Sequence, residues 1–301
     1  MLSTESRICR STLTALLLAA ACAPAPRPHS AAPEPLACQE VEGLEPLLMP
    51  GFGLLLGEIH GTAESPAFMA NAACLALRAG RPVTVVLEVP REEQGRVDAF
   101  LGSAGTEADR AALLASSFWT DKYQDGRRSQ AMLALLDDLR RLHQGGRPVR
   151  AKLMDQDERP AQSQERDRWM AEALAHAFEE NPGGVVISLT GNVHSRISRG
   201  TPWEADYEPA GFLLATMKPD LRLTSLDVSY PDGTAWTCTS AEASSCQERA
   251  LRGKGDGQGG RVVLHPQVTN GHSGVYSVGT LTASPPAALT PGPSPASGRG
   301  V

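Results

Sequence analysis

The sequence predicts an α/β fold: a mostly parallel central sheet flanked by helices, with a small β-containing C-terminal subdomain. Three observations lead there. Short, uniformly apolar runs recur at 52–56, 83–87 and 185–189, the pattern of strands buried on both faces. Stretches with helical periodicity separate them. The order strand, helix, strand then requires crossover connections and parallel neighbours.

Each element has its own signal. Residues 52–56 form the first strand. Ser65 as N-cap and Pro66 in the first turn start a helix that Gly80 ends. Residues 83–87 form the second strand, which runs onto Glu88. Residues 91–117 hold two short helices, the second capped by Thr106. The clearest helix spans 128–143, with Met132, Leu135, Leu136, Leu139 and Leu142 on one face and Gly145-Gly146 as its stop. Residues 148–154 make the third strand and deliver Asp155. A helix over 162–179 aligns Met170, Leu174 and Phe178. Asn181-Pro182-Gly183 closes it before the strand at 185–189. A short helix at 211–217 and a strand at 221–228 complete the alternation. Beyond Ser229 the texture turns polar, and 262–264 and 275–278 are short strand candidates.

The termini read differently. Arg7 and Arg10 precede an apolar stretch at 13–21, which marks residues 1–21 as a signal peptide. That stretch falls short of the ~20 residues a membrane-spanning helix needs. Leu18-Ala19-Ala20-Ala21-Cys22 resembles a bacterial lipobox, so Cys22 is the expected lipid anchor and the membrane an expected partner. Residues 22–43 then form a proline-rich tether, 44–283 a single domain whose C-terminal subdomain begins at about 230, and 284–301 a disordered tail. The expected location is outside the cytoplasm, on the outer membrane or in the periplasm. Cys38, Cys74, Cys238 and Cys246 remain for an oxidising compartment. Cys38 with Cys74 and Cys238 with Cys246 is the favoured pairing, though three connectivities are open. No Cys-x-x-Cys spacing supports a thiolate zinc site.

The chain has 28 basic and 34 acidic residues. This acidic balance, without a basic stripe, excludes nucleic acid as an expected partner. No Gly-x-Ser-x-Gly elbow, Walker loop or dinucleotide fingerprint is present.

The chemistry concentrates at strand ends. Gly57-Glu58-Ile59-His60 follows the first strand, and Gly191-Asn192-Val193-His194 follows the strand at 185–189. Ligands of open parallel sheets sit at the carboxyl ends of strands. Glu58, His60, Glu88 and His194 are therefore the candidate catalytic residues. The same four are candidate ligands for a divalent metal such as Mn, Co or Zn. Secondary candidates are Glu64, which either orients His60 or caps the following helix, Asp155 at its strand end, and Arg128, Arg166 and Asp167 at helix starts. Phe118, Trp119 and Tyr123 either wall a pocket or fill the core, and Trp203 lies in the loop after His194. Tyr207, His272 and also Tyr123 are candidate cofactor ligands.

These segments resemble the superfamily of erythromycin esterases, ChaN-like haem-binding lipoproteins and TIKI/TraB metalloproteases. The likeness rests on Gly57-Glu58-Ile59-His60-Gly61-Thr62-Ala63-Glu64, Leu87-Glu88, Arg166-Asp167-Arg168-Trp169-Met170-Ala171 and Gly191-Asn192-Val193-His194. It also takes in Gly274-Val275-Tyr276 to Pro286, and it covers about residues 45–287. It implies three activities: water activation by His and Glu for ester or amide hydrolysis, metal-assisted proteolysis, or haem binding without catalysis. A small-molecule or peptide substrate follows from the first two, and haem is the cofactor of the third. Two departures stand out. The esterases carry an extra histidine where this chain has Gly191, and an arginine where it has Ala63. Both argue against a macrolide substrate.

Overall fold

In the computed structural model, residues 37–156 and 163–288 are described. Five strands are parallel: β1 (Phe52–Glu58), β2 (Val83–Pro90), β3 (Val149–Asp155), β4 (Val185–Gly191) and β5 (Arg222–Ser229). Two more, β8 (Arg261–Thr269) and β9 (His272–Ser277), extend the same sheet. The strand order is β3-β2-β4-β1-β5-β9-β8, with β9 parallel to β5 and β8 antiparallel to β9. The C-terminal strands therefore enlarge the main sheet, and only the hairpin of β6 (Asp232–Thr237) and β7 (Gln247–Arg252) stands apart. The subdomain expected from about residue 230 shrinks to that hairpin, because β5 leaves an unpaired edge that β9 satisfies.

Alternation along the strands builds two cores. Leu54 and Leu56, Val85 and Leu87, and Ile187 and Leu189 face α1 (Glu64–Arg78), α2 (Gln94–Leu101) and α5 (Gln130–Gln144). Leu55, Val86 and Val186 face α6 (Ser163–Glu180) and α7 (Ala210–Met217). Two further short helices, α3 (Glu107–Leu114) and α4 (Ser117–Thr120), lie between α2 and α5 in the chain. Thr106 caps α3 in a full capping box, as the sequence implies. The sequence gives no sign of α4; it buries Phe118 and Trp119 in the core, which settles their role as packing.

Two starts differ from the reading above. α1 begins at Glu64 with Ala63 in the N-cap position and no side-chain cap, and Ser65 is buried inside the first turn. Glu64 neither orients His60 nor caps the helix: its Oε2 accepts from the Thr282 backbone N–H at 3.1 Å. α5 begins at Gln130 with Ser129 as cap, accepting from Met132 N, so Arg128 precedes the helix.

The expected cysteine pairs form: Cys38–Cys74 and Cys238–Cys246. The first ties part of the expected tether to α1, and Gln39 and Asn71 exchange two further hydrogen bonds there. The first residues of the expected tail also pack. Ser284 Oγ accepts from Ala131 N at 2.9 Å, and Pro285 O accepts from Gln130 N. Cys22, the signal segment and 289–301 lie outside the described residues. No helix among the described residues is long and apolar enough to cross a membrane.

Candidate active site

The sheet brings four acidic or glycine positions to one rim. β3, β2, β4 and β1 are consecutive neighbours, and they end on Asp155, Glu88–Pro90, Gly191 and Glu58. Glu58 stands directly beside Gly191 in the β1–β4 register. Above this rim is a cleft of about 700 Å³ lined by His60, Glu88, Tyr123, Asp125, Arg127, Asp155, Arg166 and His194, among others.

The two Gly-x-x-His turns interlock through their glycines. A Cβ on Gly57 would run into Ser195 Oγ and lie 2.7 Å from Asn192 Cα, atoms of the second turn. A Cβ on Gly191 would lie 3.0 Å from His60 Nε2, an atom of the first turn. Each motif's glycine makes room for the other motif.

His60 sits among carboxylates. Its Nδ1–H donates to Glu58 Oε1 at 2.9 Å, and its Nε2 lies 3.5 Å from Glu88 Oε1. Burial works against a charge on the ring, but Glu88 and Glu58 together overcome it and raise the pKa to about 10. These contacts favour the imidazolium, with one N–H committed to Glu58 and the other facing both Glu88 and the cleft. Burial also opposes the charge on Glu88, yet His60 and Arg166 hold its carboxyl well below the usual range. Glu58, buried beneath the ring, is pushed up by burial.

His194 has opposite surroundings. Its Nδ1–H donates to Asp167 Oδ1 at 2.8 Å, and its Nε2 accepts from Arg166 Nη1 at 2.9 Å. A guanidinium N–H cannot accept, so this contact requires a bare lone pair on Nε2. Asp167 is fully buried and held from three sides. Ala210 N–H donates to Oδ1 at 2.7 Å, and the Tyr207 hydroxyl donates to Oδ2. Gln164 fixes the loop that brings Tyr207: its side-chain amide exchanges two hydrogen bonds with the Glu208 backbone. Burial, then Asp167, push the Tyr207 hydroxyl far up, so it stays a donor.

Two arginines join the stations. Arg166 Nη2 donates to Glu88 Oε1 and to Asp155 Oδ2, both at 2.6 Å, and its Nε donates to Asp155 Oδ1 at 2.9 Å. Arg127 Nη1 donates to Asp155 Oδ2 at 2.7 Å, and its Nε and Nη2 donate to Asp125 Oδ2. Sequence reasoning missed Arg127 and Asp125. The available signal was Asp125-Gly126-Arg127-Arg128: Gly126 has φ +96, and a Cβ there would lie 2.7 Å from Gly61 Cα. That close approach carries Arg127 over the His60 turn. Arg128 lines the cleft too, donating to Tyr123 O at 2.7 Å, with its guanidinium 4.6 Å from the Phe118 ring centre.

The remaining candidates lie elsewhere. Tyr207 is the anchor of Asp167 and does not line the cleft. His272 is buried on β9 and paired with Ser225 Oγ at 2.9 Å, away from the cleft lining. Trp203 is exposed.

A metal fits this donor set poorly. Among the described residues no group of three or more His, Cys, Asp or Glu is arranged to hold an ion. Glu88 Oε1 already accepts from Arg166, and Asp155 from both Arg127 and Arg166. Charged side chains dominate the cleft lining, and of the expected haem ligands Tyr123 lies in it while Tyr207 and His272 do not.

No protein-family model matches the sequence, and no curated protein is similar to it. Two solved structures share the fold. A succinoglycan biosynthesis protein aligns with TM-score 0.55 and 7% identity over 80% of this chain and 90% of its own. Erythromycin esterase EreC, as a histidine-to-asparagine mutant in its open conformation, aligns with TM-score 0.52 and 11% identity over 83% of this chain and 98% of its own. At these identities the likeness is one of fold, and it agrees with the resemblance carried by the motifs.

Proposed function

We propose that the chain is an exported hydrolase that cleaves an ester or amide, using two histidines held in complementary protonation states and no metal. One observation carries this reading: His60 and His194 line one cleft, the first set between the carboxylates of Glu58 and Glu88 and the second with an Nε2 that accepts from Arg166. The erythromycin esterase fold supports the reaction class.

The step follows from the contacts. A water in the cleft gives its proton to His194 Nε2 as its oxygen bonds to the substrate carbonyl carbon. The planar Arg166 guanidinium shifts as one body, so that Nη1 leaves His194 for the carbonyl oxygen, and the His60 Nε2–H meets the same oxygen. Both stabilise the negative charge that develops there. As the carbon–oxygen or carbon–nitrogen bond breaks, the leaving group takes the proton from His194. Asp167 keeps the imidazole in the required tautomer throughout. In this reading the base is His194 rather than His60 or Glu58.

The test is a panel of aryl esters and peptide amides with and without EDTA. Turnover should persist in EDTA and fall strongly in His194→Ala and His60→Gln. No turnover by the wild type overturns the reading. Loss in EDTA with recovery on Mn, Co or Zn replaces it with a metal-dependent one. The two disulfides support an oxidising compartment. A lipid on Cys22 at the outer membrane is the proposed address, and radiolabelled palmitate should enter the wild type and not Cys22→Ser.

A further inference from the structure

The charges of the cleft lie in layers. Glu88 and Asp155 are 4% and 3% exposed, and Glu58 beneath His60 is 4% exposed. Over them stand cations that solvent reaches: the side chains of His60 at 24% and Arg166 at 21%. Asp125 and Asp121 line the same cleft with side chains 18% and 49% exposed, beside Arg127 at 10%, so an entering ligand meets N–H groups over the buried acids and carboxylates at the wall.

Two of the cations form a pair. Arg127 Nη1 and Arg166 Nη2 bond the same Asp155 Oδ2, at 2.7 and 2.6 Å. Glu88 Oε1 lies between them too, 2.6 Å from Arg166 Nη2 and 3.6 Å from Arg127 Nη1. Two guanidiniums sharing these oxygens repel each other, and the buried acids offset that repulsion from below. Each also keeps donors in reserve. Arg166 spends its Nε–H and both Nη2–H on Asp155 and Glu88 and one Nη1–H on His194, which leaves the second Nη1–H. Arg127 spends one hydrogen of each nitrogen on Asp125 and Asp155, which leaves a second hydrogen on both Nη1 and Nη2. The hydrolytic step uses Arg166 and leaves Arg127 without a task. Planar forks of this kind match carboxylate and phosphate oxygens.

We infer that the substrate of this site carries an oxyanion group, carboxylate or phosphate, beside the scissile bond, and that Arg127 with Arg166 receives it. The inference rests on the hydrolase reading and narrows it to one substrate class. Arg127 is a binding residue in this arrangement.

The experiment compares 4-nitrophenyl esters of one chain length whose acyl end is neutral, carboxylate, phosphonate or ammonium. It also titrates inorganic phosphate and succinate into the wild type and Arg127→Gln by calorimetry. The anionic esters should be favoured over the neutral one by about tenfold in kcat/KM, the worth of one good charged hydrogen bond. The carboxylate and phosphonate arms show which anion is taken. Arg127→Gln should remove the preference, and Arg127→Lys should keep part of it. Equal turnover of neutral and anionic esters, with no binding of phosphate or succinate, overturns the inference. So does a preference that survives Arg127→Gln. If that variant fails to fold, Arg127→Lys decides: a reduced preference supports the inference and an undiminished one overturns it. Arg127-dependent anion binding without turnover of any ester sinks the hydrolase reading alone and leaves this one standing.

Discussion

The His60 turn and the His194 turn share a motif, a buried strand before it and a place on one rim, yet they hold opposite chemistry. His60 lies against Glu58 and Glu88 and stays charged. His194 has one carboxylate at Nδ1 and a guanidinium at Nε2, and it offers a lone pair. The difference does not come from the Gly-x-x-His segment. It comes from strands and helices that arrive later in the chain: β2 brings Glu88, and α6 brings Arg166 and Asp167. A local motif places the ring, and the tertiary fold decides whether the ring gives or takes a proton.

The comparison breaks most visibly at its basic half. His194→Ala should lower kcat/KM by about 10²–10⁴-fold, the range for losing a general base. Asp167→Asn should cost about as much, because an amide can present its N–H to Nδ1 and leave the proton on Nε2. A loss below about threefold in both would mean that His194 is not the base. Circular dichroism of the variants separates this outcome from misfolding.

The acidic half is tested by pH. If His60 serves as a cation, kcat/KM falls as pH rises through about 10, where the ring loses its proton. Past that point the fall approaches tenfold per unit. Glu88→Gln removes the first of the two charges that raise this pKa, so the alkaline limb should move to lower pH. His60→Gln should erase it. Stability follows the same linkage. The folded pKa is above the unfolded value of about 6.5, so the contribution of His60 is fully present below that pH and is lost as pH rises through about 10. Urea unfolding of wild type and His60→Gln at pH 7 and pH 10.5 should show a gap that narrows at the higher pH. A gap of constant size would refute the charged state.

Much of this site was legible because buried parallel strands leave little ambiguity. The runs at 52–56, 83–87 and 185–189 had to be core strands, so Glu58, Glu88, His60 and His194 had to share an edge. Asp155 joined them for the same reason, as the end of β3. Hydrogen bonds across many residues were not legible. Tyr207 reads as a cofactor ligand because a buried tyrosine gives no hint of Asp167, forty positions earlier in the chain. Arg127 was hidden behind Arg128, since only the fold of the Gly126 turn separates the two. The cap at Ser65 failed because the preceding residues already run helically, with Ala63 at φ −83 and ψ −31. The C-terminal strands were read as a subdomain because their apolar runs are short and one-sided, and an edge position in the main sheet gives the same pattern.

A smaller effect sharpens the basic half. Tyr207→Phe removes one of three donors to Asp167. The expected loss in kcat is about fivefold, one net hydrogen bond, with KM little changed. A rise in KM with kcat intact would make Tyr207 part of substrate binding instead.

The glycines that interlock the turns give the finest comparison. Gly57→Ala sets a methyl group against Asn192 Cα at 2.7 Å and into Ser195 Oγ, so backbone must move. The cost should be about 1–3 kcal/mol of stability, typical of overpacking. Gly191→Ala sets its methyl group 3.0 Å from His60 Nε2, the tip of a side chain, and 3.7 Å from Glu88 Oε2. The ring can give way there, so stability should change by less than about 1 kcal/mol. What should change is the alkaline limb, because a displaced ring sits farther from Glu88 and binds its proton less tightly. Urea denaturation and pH profiles on both variants read the two effects separately. An alkaline limb that stays in place in Gly191→Ala would mean that the close contact between the turns does not set the charge on His60.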